Sequence, residues 1–273
     1  MENDNVNPNR RKKGLGDDLR QSYMVMKNEL VKFFRGRKIL LFLVLIGLVL
    51  GLLTFLPYLL GHSLPKDKNA LSALYITFIQ VVTLLSVTLF TSTQIVSEFE
   101  ERTALILFTR PIRKTSIFLG KMAASLLMGA LFVSIYYAAS CLVSLVIAGG
   151  IGGGMLKSYG LALLFVFTVS GMSMAVSSIT KKASTSAMLT FFVLVLISPV
   201  VAGVLSSSGI ATWWTLENLG DSISNVLDGY AVAMASMSME TSVIDAGRSA
   251  GMMVVWGLVY SAIALAVFKK RDF

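Results

Sequence analysis

The chain has 273 residues, of which 55% are hydrophobic and only 14% are charged. Soluble domains carry about 25% charged residues, so this composition and a mean hydropathy of +0.74 exclude an ordinary soluble protein and indicate an integral membrane protein. The formal net charge of +9 does not predict nucleic-acid binding, because the cations stand at the ends of apolar runs and not on one basic face.

Two segments precede the first apolar run. Residues 1–14 are polar and basic without any periodicity, which predicts a disordered tail. In residues 15–38 apolar side chains recur every three or four residues, which predicts an amphipathic helix with Glu29 and Lys32 away from its apolar stripe. The basic end of this helix predicts contact with an anionic membrane surface, and a simple solvated helix is the alternative.

Six apolar segments follow, and each is long enough to cross a hydrocarbon core, which takes about 20 helical residues. The predicted spans are residues 39–60, 71–96, 122–147, 158–178, 183–204 and 250–268, with residues 269–273 as a short C-terminal segment. We therefore expect an all-α, polytopic membrane protein with one transmembrane domain over residues 39–268.

The distribution of Lys and Arg predicts the orientation of the spans, because cations are retained on the cytoplasmic side of a membrane. With the N-terminus inside, all but four of the 24 Lys and Arg residues lie on the cytoplasmic side. The exceptions are Lys66, Lys68, Lys157 and Arg248. Both termini are therefore predicted to be cytoplasmic.

The predicted outer connections contain no clear ligand site. The glycine run at residues 149–154 lacks the adjacent Lys and Ser or Thr of a phosphate-binding loop. The longest connection, residues 205–249, is acidic, and its apolar patches predict short interfacial helices. Its Met234, Met237 and Met239 are compatible with a soft-metal site or with flexible packing, and we favour packing.

The sequence offers no catalytic centre. No ionisable residue stands in the middle of a predicted span, which argues against a proton relay or an intramembrane enzyme. The chain also lacks a nucleotide-binding loop, a nucleophile elbow and a metal-binding helix. We therefore predict no catalytic, cofactor-binding or metal-binding residue, and any transport must draw energy from another chain.

The second predicted span is the most polar of the six. Its amide and hydroxyl side chains recur at roughly helical spacing, and a hydroxyl of the fifth span completes the set of candidate pore-lining residues. These are Gln80, Thr83, Thr91, Gln94 and Thr190.

A dense block of charge lies between the second and third predicted spans, at residues 97–121. It begins with acidic residues and an Arg, continues as an apolar knob that needs a partner groove to be buried, and reaches a turn at Pro111, which cannot continue a helix. A Gly-Lys pair, Gly120 and Lys121, then restarts the helical pattern. The alternative is an interfacial helix that lies on lipid.

This order of residues resembles the inner loop of type 2 ATP-binding cassette (ABC) exporter permeases. In that family the loop starts with an acidic residue and a Glu-Arg pair, forms a short apolar helix, turns at a proline and resumes at Gly-Lys. The resemblance extends to the amphipathic first helix, the six spans and the long last outer connection, and it is strongest to permeases that are separate from their ATPase.

The resemblance implies a coupling helix on which a separate ABC ATPase docks. The residues implied are Glu98, Glu101, Arg102, Leu105, Leu107, Phe108, Arg110, Pro111 and Arg113. It further implies an exporter of the plasma membrane, two permease copies surrounded by lipid, and ATP bound by the partner with no cofactor on this chain. We expect the two copies to form a homodimer, because nothing in the sequence marks one half as different. A non-transporting membrane anchor or assembly protein of the same shape is the alternative function.

Overall fold

The computed structural model describes residues 15–59, 61, 64–100, 113–236 and 244–271. Within these ranges the regular elements are helical and none is a strand, which confirms the predicted all-α fold. Six helices of the described chain are long and apolar enough to cross a membrane, as predicted. We call them spans 1 to 6: Lys38–Leu59, Lys68–Phe90, Lys114–Ala148, Met155–Ile179, Ala183–Ser207 and Ala246–Lys270.

Two of the spans are interrupted. Span 2 consists of the helices Lys68–Ile76 and Ile79–Phe90. Span 5 consists of Ala183–Phe191, a π-helical turn at Phe192–Ile197, and Ser198–Ser207. Interruptions of this kind widen or bend a helix where a local sequence feature disturbs its hydrogen bonds.

Shorter helices lie at both ends of the bundle. The N-terminal helix is Leu15–Arg35, and the helix Val96–Glu100 follows span 2. Two short helices, Leu216–Asn225 and Tyr230–Ser236, are present in the connection between spans 5 and 6, where short helices were predicted. We call the end of the bundle with the N-terminal helix and Arg271 the terminal face, and the end with Leu216–Asn225 the opposite face.

Spans 2 and 4 form the centre of the bundle. About two thirds of their most apolar windows is buried, whereas the corresponding windows are only 17% buried in span 1 and 11% buried in span 5. Spans 1 and 5 therefore leave most of their apolar side chains uncovered within one chain, as expected for helices that face lipid or a neighbouring membrane chain.

Phenylalanine rings join the N-terminal helix to the first three spans. The rings of Phe42 and Phe132 are 4.5 Å apart, and those of Phe90 and Phe132 are stacked at 4.9 Å. Phe33 of the N-terminal helix meets Phe90 edge to face at 5.5 Å. Such pairs contribute about 0.5 to 1.5 kcal/mol beyond the area that they bury, so they fix the N-terminal helix to the bundle.

The N-terminal helix also packs closely along the beginning of span 3. A Cβ atom at Gly120 would lie 2.6 Å from the carbonyl oxygen of Ser22 and 2.7 Å from Cβ of Val25. Only a residue without a side chain permits this approach. Span 3 begins at Lys114, well before the predicted residue 122, because its first turns are covered by protein and remain helical although they are polar.

Candidate functional site

A group of charged side chains is buried at the terminal face. Lys121 of span 3 is only 2% exposed, and Glu29 and Glu98 are each 7% exposed. The Lys121 ammonium donates to Glu29 Oε1 at 2.8 Å, to Glu98 Oε1 at 2.9 Å and to the carbonyl oxygen of Gln94 at 3.0 Å. An ammonium has three donors, so each of them is used.

Lys32 completes this charge cluster, which we define as Glu29, Lys32, Glu98 and Lys121. The Lys32 ammonium lies 3.1 Å from Glu29 Oε1 and 3.3 Å from Glu98 Oε1, at the solvent edge of the group. Partial burial alone would lower the pKa of Lys32, but the attraction of the two carboxylates raises it above its ordinary value. Two cations and two anions balance one another, so the buried group has no net charge.

The cluster joins three separate elements of the chain. Glu29 is on the N-terminal helix, Glu98 is on the helix that follows span 2, and Lys121 is on span 3. Removing one partner of a buried ion pair leaves the other charge unpaired, at a cost of about 3 to 5 kcal/mol. A movement of any of these elements must therefore carry the other two with it or break the cluster.

The turn between span 2 and Val96–Glu100 is held by side chains from spans 4 and 5. Ser177 Oγ of span 4 accepts the backbone N–H groups of Ile95 and Val96, both at 3.2 Å. The Ser186 hydroxyl of span 5 donates to the carbonyl oxygen of Ser92. These bonds fix the end of span 2 to its two neighbours.

Residues 101–112 lie outside the described residues, but the residues on either side of this segment are attached to the bundle. Before it, Glu100 Oε2 accepts the backbone N–H of Ala183, at the beginning of span 5, at 2.6 Å. After it, the Arg113 guanidinium contacts Asp18 of the N-terminal helix at 2.5 Å. The segment therefore begins and ends at fixed points on two different elements.

The end of span 6 contributes to the same face. The Lys114 ammonium donates to the carbonyl oxygens of Lys269 and Arg271, both at 3.2 Å. The Arg271 guanidinium in turn donates to the carbonyl oxygens of Ser178 at 3.0 Å and Thr180 at 2.6 Å, where it caps the end of span 4. Burial lowers the pKa of Arg271, and its guanidinium lies 4.1 Å from the ring centre of Phe99.

The predicted docking residues are described only in part. Glu98 is buried in the charge cluster and Arg113 is paired with Asp18. The others, Glu101, Arg102, Leu105, Leu107, Phe108, Arg110 and Pro111, lie outside the described residues.

Sequence reasoning misplaced Glu29. We predicted it on the polar side of the amphipathic helix, but it follows Val25 and precedes Phe33 by one helical turn each. Val25 faces span 3 and Phe33 faces span 2, so Glu29 lies on the same buried side of the helix as these two residues. An acidic residue on a buried side normally has a cationic partner, and this spacing was the signal in the sequence. The predicted beginning of the third span at residue 122 left Lys121 outside the span and likewise missed its burial.

The predicted pore-lining residues lie mostly inside the chain. Thr83, Thr91, Gln94 and Thr190 are all buried, and the Thr83 hydroxyl donates to the carbonyl oxygen of Ile79 at 2.8 Å. The side-chain polar atoms of Thr91, Gln94 and Thr190 have no hydrogen-bond partner within the described ranges. Unpaired buried polar groups cost about 1 to 3 kcal/mol each, so this region favours either hydration or a second arrangement of the spans.

Gln80 is placed differently, at the opposite face. The side chain of Gln80 packs directly on Gly220, where a Cβ atom would collide with it, and the same side chain hydrogen-bonds Glu217. Burial raises the pKa of Glu217, and burial together with the nearby Glu217 charge raises the pKa of Asp221 to about 6. The predicted pore-lining residues therefore do not form one group in this conformation.

The candidate methionine site is described only through Met234, which is buried, because Met237 and Met239 lie outside the described residues. In the described part of the chain no group of three or more His, Cys, Asp or Glu residues could hold a metal ion.

Comparison with known families matches the chain to the ABC-2 family transporter proteins over residues 23–273. The match covers nearly the whole chain, including the N-terminal helix from Tyr23 onward, the charge cluster and all six spans. A comparison with curated proteins finds no match.

Proposed function

The chain belongs to the ABC-2 transporter family, and on that premise we propose that it is the membrane subunit that forms the translocation path of an ABC exporter. Members of this family are membrane subunits that work with an ATPase, and we propose that the ATPase here is a separate polypeptide. The family match over residues 23–273 is the observation that carries the proposal. The proposed location is the plasma membrane, with both termini in the cytoplasm and the terminal face inside.

We assign the ATPase docking site to residues 101–112 and the exposed side of the N-terminal helix. Support comes from the fixed points at Glu100 and Arg113, which join this segment to span 5 and to the N-terminal helix. A force on the segment would therefore reach both elements. Glu98 was expected to contact the ATPase, but its carboxylate is paired with Lys121 and Lys32. Its proposed role is therefore to position residues 101–112 from inside the chain.

The charge cluster is the proposed mechanical link between docking and the spans. It connects the N-terminal helix, the end of span 2 and the beginning of span 3, and the hydroxyls of Ser177 and Ser186 extend the link to spans 4 and 5. Span 1 has little burial within one chain, which suits contact with a second copy, and the equally low burial of span 5 suits a change of position during transport. In that second arrangement the unpartnered groups of Thr91, Gln94 and Thr190 would become the pore lining.

Co-purification with the ATPase partner tests the docking assignment. Reversal of charge at Glu101 and Arg102, as Glu101→Lys with Arg102→Glu, should lower recovery of the ATPase about tenfold because it inverts the interface charges. A matched control reverses two exposed cations of the opposite face, Lys157→Glu with Arg248→Glu, and should leave recovery unchanged. Undiminished recovery in the first variant would contradict the docking assignment.

Transport itself separates an exporter from a non-transporting membrane anchor. Vesicles that contain the permease and its ATPase should accumulate or release a cargo in an ATP-dependent manner. The ATPase should also hydrolyse ATP faster when the permease is present. An ATPase that binds the permease but hydrolyses ATP at the same rate, without transport of any cargo, would favour the anchor.

A further inference from the structure

A cavity of about 170 Å³ lies between spans 4, 5 and 6 beneath the first short helix of the opposite face. We call it the lateral cavity and define it by six of its lining residues: Met172, Val193, Ile197, Val201, Trp256 and Tyr260. None of the residues so far assigned to docking or to the pore belongs to its lining.

The cavity is produced by the interruption of span 5. Pro199 has no backbone N–H and its ring displaces the carbonyl one turn earlier. The helix responds with the π-helical turn Phe192–Ile197, in which the backbone N–H of Ser198 reaches the carbonyl oxygen of Val193. A π turn is wider than an α turn and is found frequently at functional sites. Here it places Val193 and Ile197 on the cavity wall.

The chemistry of the wall selects an uncharged, apolar ligand. Its described residues are mostly aliphatic and aromatic, with hydroxyl groups on Ser198, Thr215 and Tyr260 and no charged side chain. Trp256 and Tyr260 stack at 5.2 Å, and the indole N–H of Trp256 is already used by the carbonyl oxygen of Trp214 at 3.0 Å. The wall therefore offers ring faces and methyl groups, which stabilise hydrocarbon.

The size of the cavity limits what can enter it. An apolar cavity of about 150 Å³ binds a molecule the size of benzene, whereas a helix of a second protein chain is about 10 Å across. The lateral cavity therefore admits one hydrocarbon chain or a small ring and excludes a packed helix.

The cavity opens sideways, toward the membrane. Ile197 is 50% exposed and Val201 is 46% exposed, and both line the opening on span 5. The position of the cavity in the membrane can be inferred from span 6. Near the beginning of that span Arg248 lies over the ring of Trp213, and such a cation–aromatic pair is typical of the membrane interface. Trp256 is about 12 Å further along the same helix, at the level of acyl chains.

We propose that the lateral cavity binds the end of one acyl chain of a phospholipid from the leaflet at the opposite face. The bound chain fills the space left by the π turn and connects span 5 with spans 4 and 6. The inference goes beyond the transport function and does not depend on an ATPase, so each can fail without the other.

Photolabelling in vesicles tests the proposal. The permease alone is reconstituted into phosphatidylcholine vesicles that contain a phospholipid with a diazirine near the end of one acyl chain, and labelled residues are identified by mass spectrometry. Met172 and Tyr260 should be labelled more strongly than Leu48, an exposed residue in the middle of span 1 that does not line the cavity. Val201→Trp should reduce the labelling of both about tenfold, because the indole fills the cavity.

Val200→Trp is the matched control. Val200 is adjacent, is 64% exposed and does not line the cavity, so this variant should keep the labelling of Met172 and Tyr260. Ile197→Phe fills the cavity from the neighbouring turn and provides a second test if Val201→Trp does not fold. Equal labelling of Met172, Tyr260 and Leu48, equal labelling in filled and unfilled variants, or crosslinks to a second permease copy in place of lipid would each overturn the proposal.

Discussion

The two faces of the bundle are held together by different chemistry. At the terminal face, buried charges of Glu29, Glu98 and Lys121 join three elements. At the opposite face Glu217 and Asp221 are partly buried, but two bonds that join its elements are between neutral groups. Tyr136 donates to the carbonyl oxygen of Tyr75 at 2.7 Å, and Ser158 donates to the carbonyl oxygen of Ile223 at 2.6 Å.

The difference indicates which face is built to respond to a partner. A neutral hydrogen bond contributes about 0.5 to 1.5 kcal/mol whatever the charges around it. A buried charge cluster is stable only while every charge keeps its partner, so a small shift of one element changes the energy of the others. We therefore regard the opposite face as the scaffold and the terminal face as the part that transmits movement.

Lys121→Met should show the largest effect. Methionine keeps much of the side-chain volume but leaves Glu29 and Glu98 buried with only Lys32 as a cation, so the free energy of unfolding should fall by about 3 to 5 kcal/mol. Unfolding in detergent by increasing sodium dodecyl sulfate measures the change. The control Lys157→Met removes an exposed lysine of span 4 and should leave the free energy of unfolding nearly unchanged. Equal losses in the two variants would contradict the proposed difference between the faces.

Tyr136→Phe should have a smaller effect at the opposite face. It removes one buried hydrogen bond to Tyr75 without leaving a charge, so we expect a loss of about 1 to 2 kcal/mol in the same unfolding measurement. Tyr58→Phe, at an exposed tyrosine, is the control. A loss as large as that of Lys121→Met would mean that the neutral face is no less sensitive than the charged one.

Asp221→Asn should be visible mainly as a change in the pH dependence of stability. The pKa of Asp221 is raised from 3.8 to about 6 in the folded chain by burial and by Glu217. The folded state thus binds more protons than the unfolded state between these values, so stability falls as pH rises from about 4 to about 6 and is level above that. Thermal unfolding at several pH values should show a shallower fall for Asp221→Asn. An unchanged slope would assign the pH dependence to other groups.

The six spans were predictable because each is a long apolar run. The beginning of span 3 was not, since hydropathy marks Lys121 as a boundary residue, whereas the chain neutralises it with Glu29, 92 positions away in sequence. No local pattern reports a partner at such a distance. Gly120 indicates a close helix contact only once the N-terminal helix that packs against it is known.

The candidate pore residues show a second limit of sequence patterns. Polar spacing in span 2 predicted pore-lining residues, and in this conformation Thr83 satisfies its hydroxyl on its own helix and Thr91 is buried within the chain. Ser and Thr side chains commonly bond to the preceding turn, so a hydroxyl in a span does not by itself predict a pore. The π turn of span 5, in contrast, has a local sequence cause in Pro199.

Hydrogen exchange in the assembled permease–ATPase complex tests most directly whether the terminal face transmits movement. Exchange of backbone amides in residues 91–100 should change when ATP binds, and exchange in residues 216–225 of the opposite face should not. In Glu98→Gln, which weakens the cluster without altering residues 101–112, the ATPase should still bind but the ATP-dependent change should shrink. ATP-dependent exchange that is absent from residues 91–100, or that is equal at the two faces, would contradict the account.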